Sequence, residues 1–333
     1  MYTDVKLDKS LYSITGRSFT EALSQLDPDS EYKNTELEGL DAYERQLKRF
    51  DIKVSGENCD RVEKFFISAE SAVLFPEYVR RKVKEGMDSV SILPEITAAT
   101  SRTEGYDYRP LSVTSTGSET GIAQLTALPQ TTVTLAAATA ALIKFGRRLS
   151  CSYESVRKQR LEAFGVILRG LGAQISRAIN AKCAEVLASG ASSVEYTGSI
   201  SYATLAAFWA SMSGCDMDVM LCSPAMMASI LALPEMKYCV TDFMSSGKVV
   251  TPYGVTVIKC PSLDDDVAIG MDSSCAAEVI YGTDVIVDFD KLISTQCDEI
   301  AASILCGISV LTSAAVKKLV PASNCRINDR AGG

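Results

Sequence analysis

Histidine is absent from all 333 residues. That absence excludes Ser-His-Asp and Cys-His catalysis, His-ligated zinc and the usual proton shuttle near neutral pH. Paired CxxC motifs are missing too, as are Asn-x-Ser/Thr acceptors, and the eleven cysteines make an odd count. Reduced thiols in a protein made in a cytoplasm are expected, most of them behaving as small buried hydrophobes. There is no basic surplus: 33 Lys and Arg stand against 41 Asp and Glu, a net charge of −8. Grip on phosphate needs clustered cations, so direct binding to nucleic acid is not expected. The start, Met1-Tyr2-Thr3-Asp4-Val5-Lys6, lacks the form of a secretion signal. Two uncharged stretches, Thr120 to Ile143 and Ile300 to Val316, are broken by polar residues, glycine or Pro129. Neither reaches the run of about 20 apolar residues that a membrane span needs, so a soluble protein without membrane contact is expected.

Few groups remain that could carry chemistry. Gly170-Leu171-Gly172 resembles the start of a dinucleotide loop, but it falls inside a helical pattern rather than after a strand. Helix packing is its expected role. Asp264-Asp265-Asp266 could attract a divalent cation, yet three adjacent acids cannot converge on one ion, and a solvated turn is expected. No catalytic, cofactor-binding or metal-ligating residue is therefore assigned, and no cofactor or enzymatic activity is expected.

The first 68 residues are the most charged part of the chain. Leu37, Leu40, Tyr43, Leu47 and Phe50 recur at helical spacing and predict one amphipathic helix of about four turns. So short a segment must lay its apolar face on the rest of the chain or on another copy. A second helix is predicted over Glu70 to Lys84, with Pro76 in its first turn and Gly86 as its stop. Ser89 to Ile96 reads as a strand or extended link. From Thr97 to Leu149 small and β-branched residues dominate. Tyr106 to Val113 and the run holding Val133, Leu135, Ile143 and Phe145 predict a long two-stranded hairpin, with Ser115 to Gly121 as its tip.

An isolated hairpin is marginal in water, so a neighbouring subunit is its expected support. Tyr153 to Ser189 contains no proline, and Leu161, Phe164, Leu168, Leu171, Ile175, Ile179, Cys183 and Val186 step by three or four. One helix of about 55 Å is predicted, capped by Ser152 and ended by Gly190. A coiled coil fits less well, because the opposite face carries Arg157, Arg160, Arg169 and Arg177 without matching acids. An α/β pattern follows. It has helices at Tyr202 to Met212 and Pro224 to Leu233, a buried strand at Asp218 to Cys222, and short strands near 249, 255, 267, 279 and 285. The last apolar segment is Ile300 to Leu311, and the tail to Gly333 is polar.

In this order the elements resemble the Hong Kong 97-like major capsid proteins of tailed bacteriophages. Ala72-Val73-Leu74-Phe75-Pro76-Glu77-Tyr78-Val79 resembles the opening of that family's peripheral domain. Ile143-Lys144-Phe145-Gly146-Arg147-Arg148-Leu149-Ser150, leading into Ser152-Tyr153-Glu154, resembles the approach to its spine helix. Cys222-Ser223-Pro224-Ala225 resembles the strand end before the axial-domain helix, although relatives often carry Asn where Ser223 stands. Thr251-Pro252-Tyr253-Gly254 and Ala268-Ile269-Gly270-Met271-Asp272 resemble the axial-domain turn and the strand after it. Ala277-Glu278-Val279 and Asp290-Lys291-Leu292-Ile293 resemble the return to the peripheral domain. The likeness runs over roughly residues 69 to 320.

The resemblance implies an α+β fold of named parts. These are an N-terminal arm (1–68), a first peripheral part (69–94), an E-loop hairpin (95–149) and the spine helix (150–198). An axial domain (199–275), peripheral strands (276–305) and an axial return with tail (306–333) complete it. It implies a structural subunit that self-assembles into hexamers and pentamers of an icosahedral virion shell in the host bacterial cytoplasm. The implied partners are other copies, a portal protein at one vertex and a separate scaffolding or decoration protein. Double-stranded DNA would be enclosed without sequence-specific binding. An encapsulin-type compartment shell is the alternative, and an α/β enzyme a third reading. The family's namesake crosslinks its subunits through an E-loop lysine. Here no lysine lies between Lys84 and Lys144, and arginine cannot replace it as a nucleophile, so the implied shell is held without covalent links.

Overall fold

In the computed structural model the described residues are 5–12, 17–105, 107–116, 121–136, 139–240, 243–244 and 247–322. The principal helices are α1 (Phe19–Leu26), α2 (Ala42–Arg49), α3 (Leu74–Asp88), α4 (Leu161–Gly190), α5 (Tyr202–Ala210) and α6 (Pro224–Leu231). The strands are β1 (Ala99–Arg102), β2 (Asp107–Tyr108), β3 (Leu111–Thr116), β4 (Gln130–Leu135), β5 (Ala140–Ala141), β6 (Ile143–Ser152), β7 (Ser192–Tyr196), β8 (Val219–Cys222), β9 (Val249–Val250), β10 (Thr256–Lys259), β11 (Ala268–Met271), β12 (Ala277–Tyr281), β13 (Ile286–Leu292), β14 (Cys297–Val310) and β15 (Val316–Pro321). The chain divides into two units: Met1–Val90 with Gly146–Ser176 and Val285–Ile304, and Ser91–Phe145 with Arg177–Asp284 and Leu305–Gly333. Helix α4 and strand β14 each begin in the first unit and end in the second.

The first unit is built around the crossing of α3 and α4. A Cβ on Gly86 would lie 2.1 Å from the Arg169 carbonyl oxygen, and one on Gly172 would lie 1.9 Å from that of Val83. No side chain fits at such distances, so each helix presents bare backbone to the other. Gly86 is therefore a contact point inside α3 and not the stop expected of it. Gly172 has the packing role expected of it, while a Cβ on Gly170 would meet nothing within 4 Å. Around the crossing, Phe75 stacks on Phe164 with centroids 6.2 Å apart and meets Phe65 at 5.5 Å. The Tyr78 hydroxyl donates to the Leu161 carbonyl at 2.5 Å. Strand β13 pairs antiparallel with the first half of β14, from Ile286 opposite Ser303 to Leu292 opposite Cys297.

The N-terminal region folds back on α3, which settles where its apolar face goes. The helix expected over 37–50 is shorter. Gly39 has a φ of +82°, and Asp41 then starts α2 with a capping box to Glu44. Two buried ionic groups hold the region. Arg45 and Asp27 are 1% and 0% exposed and meet at 3.0 Å, with Tyr32 and Gln46 also donating to the Asp27 carboxylate. Fully buried Glu77 accepts from Arg80 at 2.7 Å, from Arg81 at 2.9 Å and from Thr20 at 2.8 Å. Burial alone would raise the Glu77 carboxyl. The hydrogen bonds from Arg80, Thr20 and Arg81 outweigh it and hold the group below its usual range.

The long helix predicted over 153–189 is two pieces, Tyr153–Arg157 and the 30-residue α4 of about 45 Å. Between them the backbone serves the N-terminal region. Gln159 accepts from the Val62 N–H at 3.0 Å, Arg160 bridges Arg61, and the Leu161 N–H donates to Asp60 at 2.8 Å. These bonds compete with the helical ladder, and apolar spacing cannot reveal them. Residues 93–96 are a helical turn rather than the extended link expected, with Pro94 in its first turn.

The second unit carries a mixed six-stranded sheet ordered β7-β15-β11-β8-β10-β9. Helices α5 and α6 bury Leu205, Phe208, Met226, Met227 and Ile230 against it. Strand β8 is buried along its whole length, as its unbroken apolar run requires. Strands β1 and β12 run parallel, and β12 pairs antiparallel with residues 306–310 of β14.

Two predictions follow from the first unit's core. Gly172→Ala should destabilise by about 1–3 kcal/mol or more through forced separation of α3 and α4. Gly170→Ala, in open space, should stabilise by up to about 1 kcal/mol. Chemical denaturation of the three proteins checks both, and equal effects would place the crossing elsewhere. The depressed Glu77 carboxyl makes stability pH-dependent. Its contribution is present above the unfolded value of about 4.3 and is lost as pH falls through the lower folded value. Glu77→Gln should cost about 3 kcal/mol at neutral pH and flatten the acid decline, read from unfolding midpoints across that range.

Candidate assembly surface

A ribbon of two strands projects from the second unit's sheets as a pair of its own. Strand β3 pairs antiparallel with β4 in six register pairs, from Leu111 opposite Leu135 to Thr116 opposite Gln130. Below it β2 pairs with β5, the two segments being interrupted at Arg109-Pro110, where proline cannot donate to the ladder. The expected hairpin is thus present, but it ends sooner than expected. Ile143 and Phe145 belong to β6, which pairs with β14 instead. Residues 117–120 of the expected tip lie outside the described residues.

The base of the ribbon is tied down. Glu278 on β12 is buried, and its carboxylate accepts from the Tyr108 hydroxyl at 2.7 Å and from the Ser101 hydroxyl. At Gly307 a Cβ would lie 2.8 Å from the Ala141 carbonyl oxygen, so glycine lets β14 pass close to the second strand of the ribbon. Beyond this base the character changes. Every residue of β4 is exposed, and so are Leu111, Ile122, Leu125, Leu128, Val133 and Leu135. No third strand flanks β3 or β4 among the described residues. Such a ribbon leaves strand edges and apolar side chains in water, which a native protein covers with something.

The first unit has its own apolar surface, a groove of about 720 Å³ lined by Tyr12, Phe66, Phe75, Val156, Phe289 and Ile300. Exposed Ile67 and Ile293 belong to the same unit. Sequence reasoning placed the hairpin but missed this groove. Its lining comes from four separate stretches, and no spacing within any one of them marks it.

The sequence candidates for chemistry take these positions. Asp264, Asp265 and Asp266 form an exposed turn whose Asp265 and Asp266 carbonyls accept from Ser223 and Tyr196. Gly170 and Gly172 lie within α4 and not at the mouth of a strand. Among the described residues no helix is long and apolar enough to cross a membrane.

Comparison with known proteins agrees with this geometry. The structure is similar to a virus-like particle from Pyrococcus furiosus, with a TM-score of 0.54 and 11% identity over 74% of this chain and 99% of that one. It is also similar to a protein of Gordonia phage Cozz, with a TM-score of 0.51 and 15% identity over 70% of this chain and 87% of that one. The fold is the Hong Kong 97-like capsid fold. The capsid of an empty GTA particle is a further likeness, with a TM-score of 0.50 and 15% identity over 70% of this chain and 90% of that one. In sequence, residues 136–294 match the family described as phage capsid protein. Over those residues the chain is similar to phage capsid proteins, and its fold is shared with capsid structures. Among curated protein sequences none matches.

The surface generates a test. Replacing Leu128, Val133 and Leu135 together by Ser should leave the unfolding midpoint within about 0.5 kcal/mol of the parent, as for changes remote from a core. Higher-order assembly, followed by analytical ultracentrifugation, should be lost. Full assembly of the triple variant would show that these side chains do not touch another copy.

Proposed function

We propose that this capsid-fold protein closes into an icosahedral virion shell of hexamers and pentamers around double-stranded DNA in the host cytoplasm. The observation that carries the reading is the exposed β3–β4 ribbon. It has no covering within the described residues, and a second copy is the surface it suits. Under this proposal residues 95–149 are the E-loop. Residues 69–94, 150–198 and 276–305 form the peripheral domain, and 199–275 with 306–333 the axial domain. Residues 1–68 remain the N-terminal arm, now folded on α3. The acidic balance suits a container wall, because packed DNA then slides past it. A portal protein at one vertex and a separate scaffolding or decoration protein complete the set of partners, and the subunit performs no catalysis.

Cohesion rests on non-covalent contacts, since the ribbon region has no lysine between Lys84 and Lys144. Purified particles imaged by negative stain should be closed shells. Boiled in detergent with reductant, they should give one band near 35.8 kDa. Small monodisperse species under the microscope would defeat the shell reading. A ladder of oligomers that survives reduction would defeat only its non-covalent part.

A further inference from the structure

Two thiols and a carboxylate converge in the second unit. Cys215 Sγ, Cys275 Sγ and an Asp272 carboxylate oxygen all lie within 4.8 Å of one another, and all three residues are half-buried. Their positions are set by the sheet. Cys215 sits in the turn between α5 and β8, after Gly214 with its φ of +81°. Asp272 directly follows β11, which pairs with β8 so that Met271 faces Val219. Backbone bonds then tie the two loops together. The Asp218 N–H donates to Met271 at 3.1 Å, the Asp272 N–H to Ala315 at 3.0 Å, and the Cys275 N–H to Asp272 at 3.2 Å.

The Asp272 carboxylate is aimed by its own partners. One oxygen accepts from the Ser274 N–H at 3.1 Å and the Ser274 hydroxyl at 2.5 Å, the other from the Asp216 N–H at 3.1 Å. The Cys275 thiol is a further hydrogen-bond partner of this carboxylate, and loss of its proton opens that place to a cation. The surroundings are anionic. Asp216 and Asp218 flank the cluster, and Asp218 accepts from the Ser273 N–H at 2.8 Å. Among the described residues no Lys or Arg forms an ion pair with Asp216, Asp218 or Asp272. Lys317 on β15 gives its ammonium to the Ser211 carbonyl instead.

We infer that Cys215, Cys275 and Asp272 are the three protein ligands of a zinc ion. Thiolates select a soft or borderline cation, whereas calcium and magnesium require oxygen donors throughout. Tetrahedral zinc with Zn–S bonds of about 2.3 Å places two sulfurs about 3.8 Å apart, inside the 4.8 Å limit of the cluster. The fourth position belongs to water. Binding releases the two thiol protons to solvent, so the site holds one net negative charge before and after, and no oxidant or reductant is involved. Zinc here clips the α5–β8 turn to the turn after β11.

The test uses the reduced, chelator-stripped protein titrated with Zn²⁺ alone. About one tightly bound zinc per chain is expected, with X-ray absorption showing two sulfur neighbours near 2.3 Å and oxygen neighbours near 2.0 Å. The Cys215→Ser/Cys275→Ser double variant, checked for folding by circular dichroism, should lose that zinc. No stoichiometric zinc, a coordination shell of four sulfurs or of oxygen and nitrogen only, or undiminished binding by the folded double variant would overturn the assignment. The absorption measurement on the unaltered protein decides the question even if the variant does not fold.

Discussion

The first unit depends on how closely α3 and α4 approach. Two helices can meet backbone to backbone only where both lack a Cβ at the contact, and here Gly86 and Gly172 meet that condition from opposite sides. The side-chain contacts between the two helices are spaced by this crossing. It brings Phe75 onto Phe164, lets Tyr78 reach the Leu161 carbonyl and sets Arg169 3.1 Å from Glu85. A wider crossing would open voids in a layer of aromatic rings, where lost contacts are costly.

On this frame the N-terminal region is held by polar rather than apolar means. Glu77 points from α3 to Thr20 on α1 while Arg81 reaches Asp41 at the start of α2, so one helix face organises both. Buried ion pairs add little net stability, but they tolerate no wrong partner. Asp27 satisfied by Arg45, Tyr32 and Gln46 together is a geometric lock, one that a sliding apolar face could not provide. No buried side-chain nitrogen or oxygen among the described residues is left without a hydrogen bond.

Much of this was legible in the sequence because local rules governed it. Ser223-Pro224 announced α6, the apolar run before it announced β8, and the Thr-rich alternation announced β3 and β4. What escaped was decided at long range. Gly86 looked like a helix stop because its partner is Arg169. The break before Leu161 was invisible because residues 60–62 claim those backbone groups. The groove and the Cys215–Asp272–Cys275 cluster each join stretches far apart in the chain, so no spacing motif marks them.

The exposed ribbon has a consequence for how the chain can vary. In a closed assembly every copy carries the same ribbon, so a change of a few tenths of a kcal/mol at one contact recurs at every symmetry-related position. Losses too small to notice in a lone domain are then multiplied by copy number, and the collective balance tips sharply. Core positions such as Val79 answer only for their own molecule. Were another copy seated on the ribbon, the solvent-facing threonines of β4 and its Leu135 would answer for the whole ensemble.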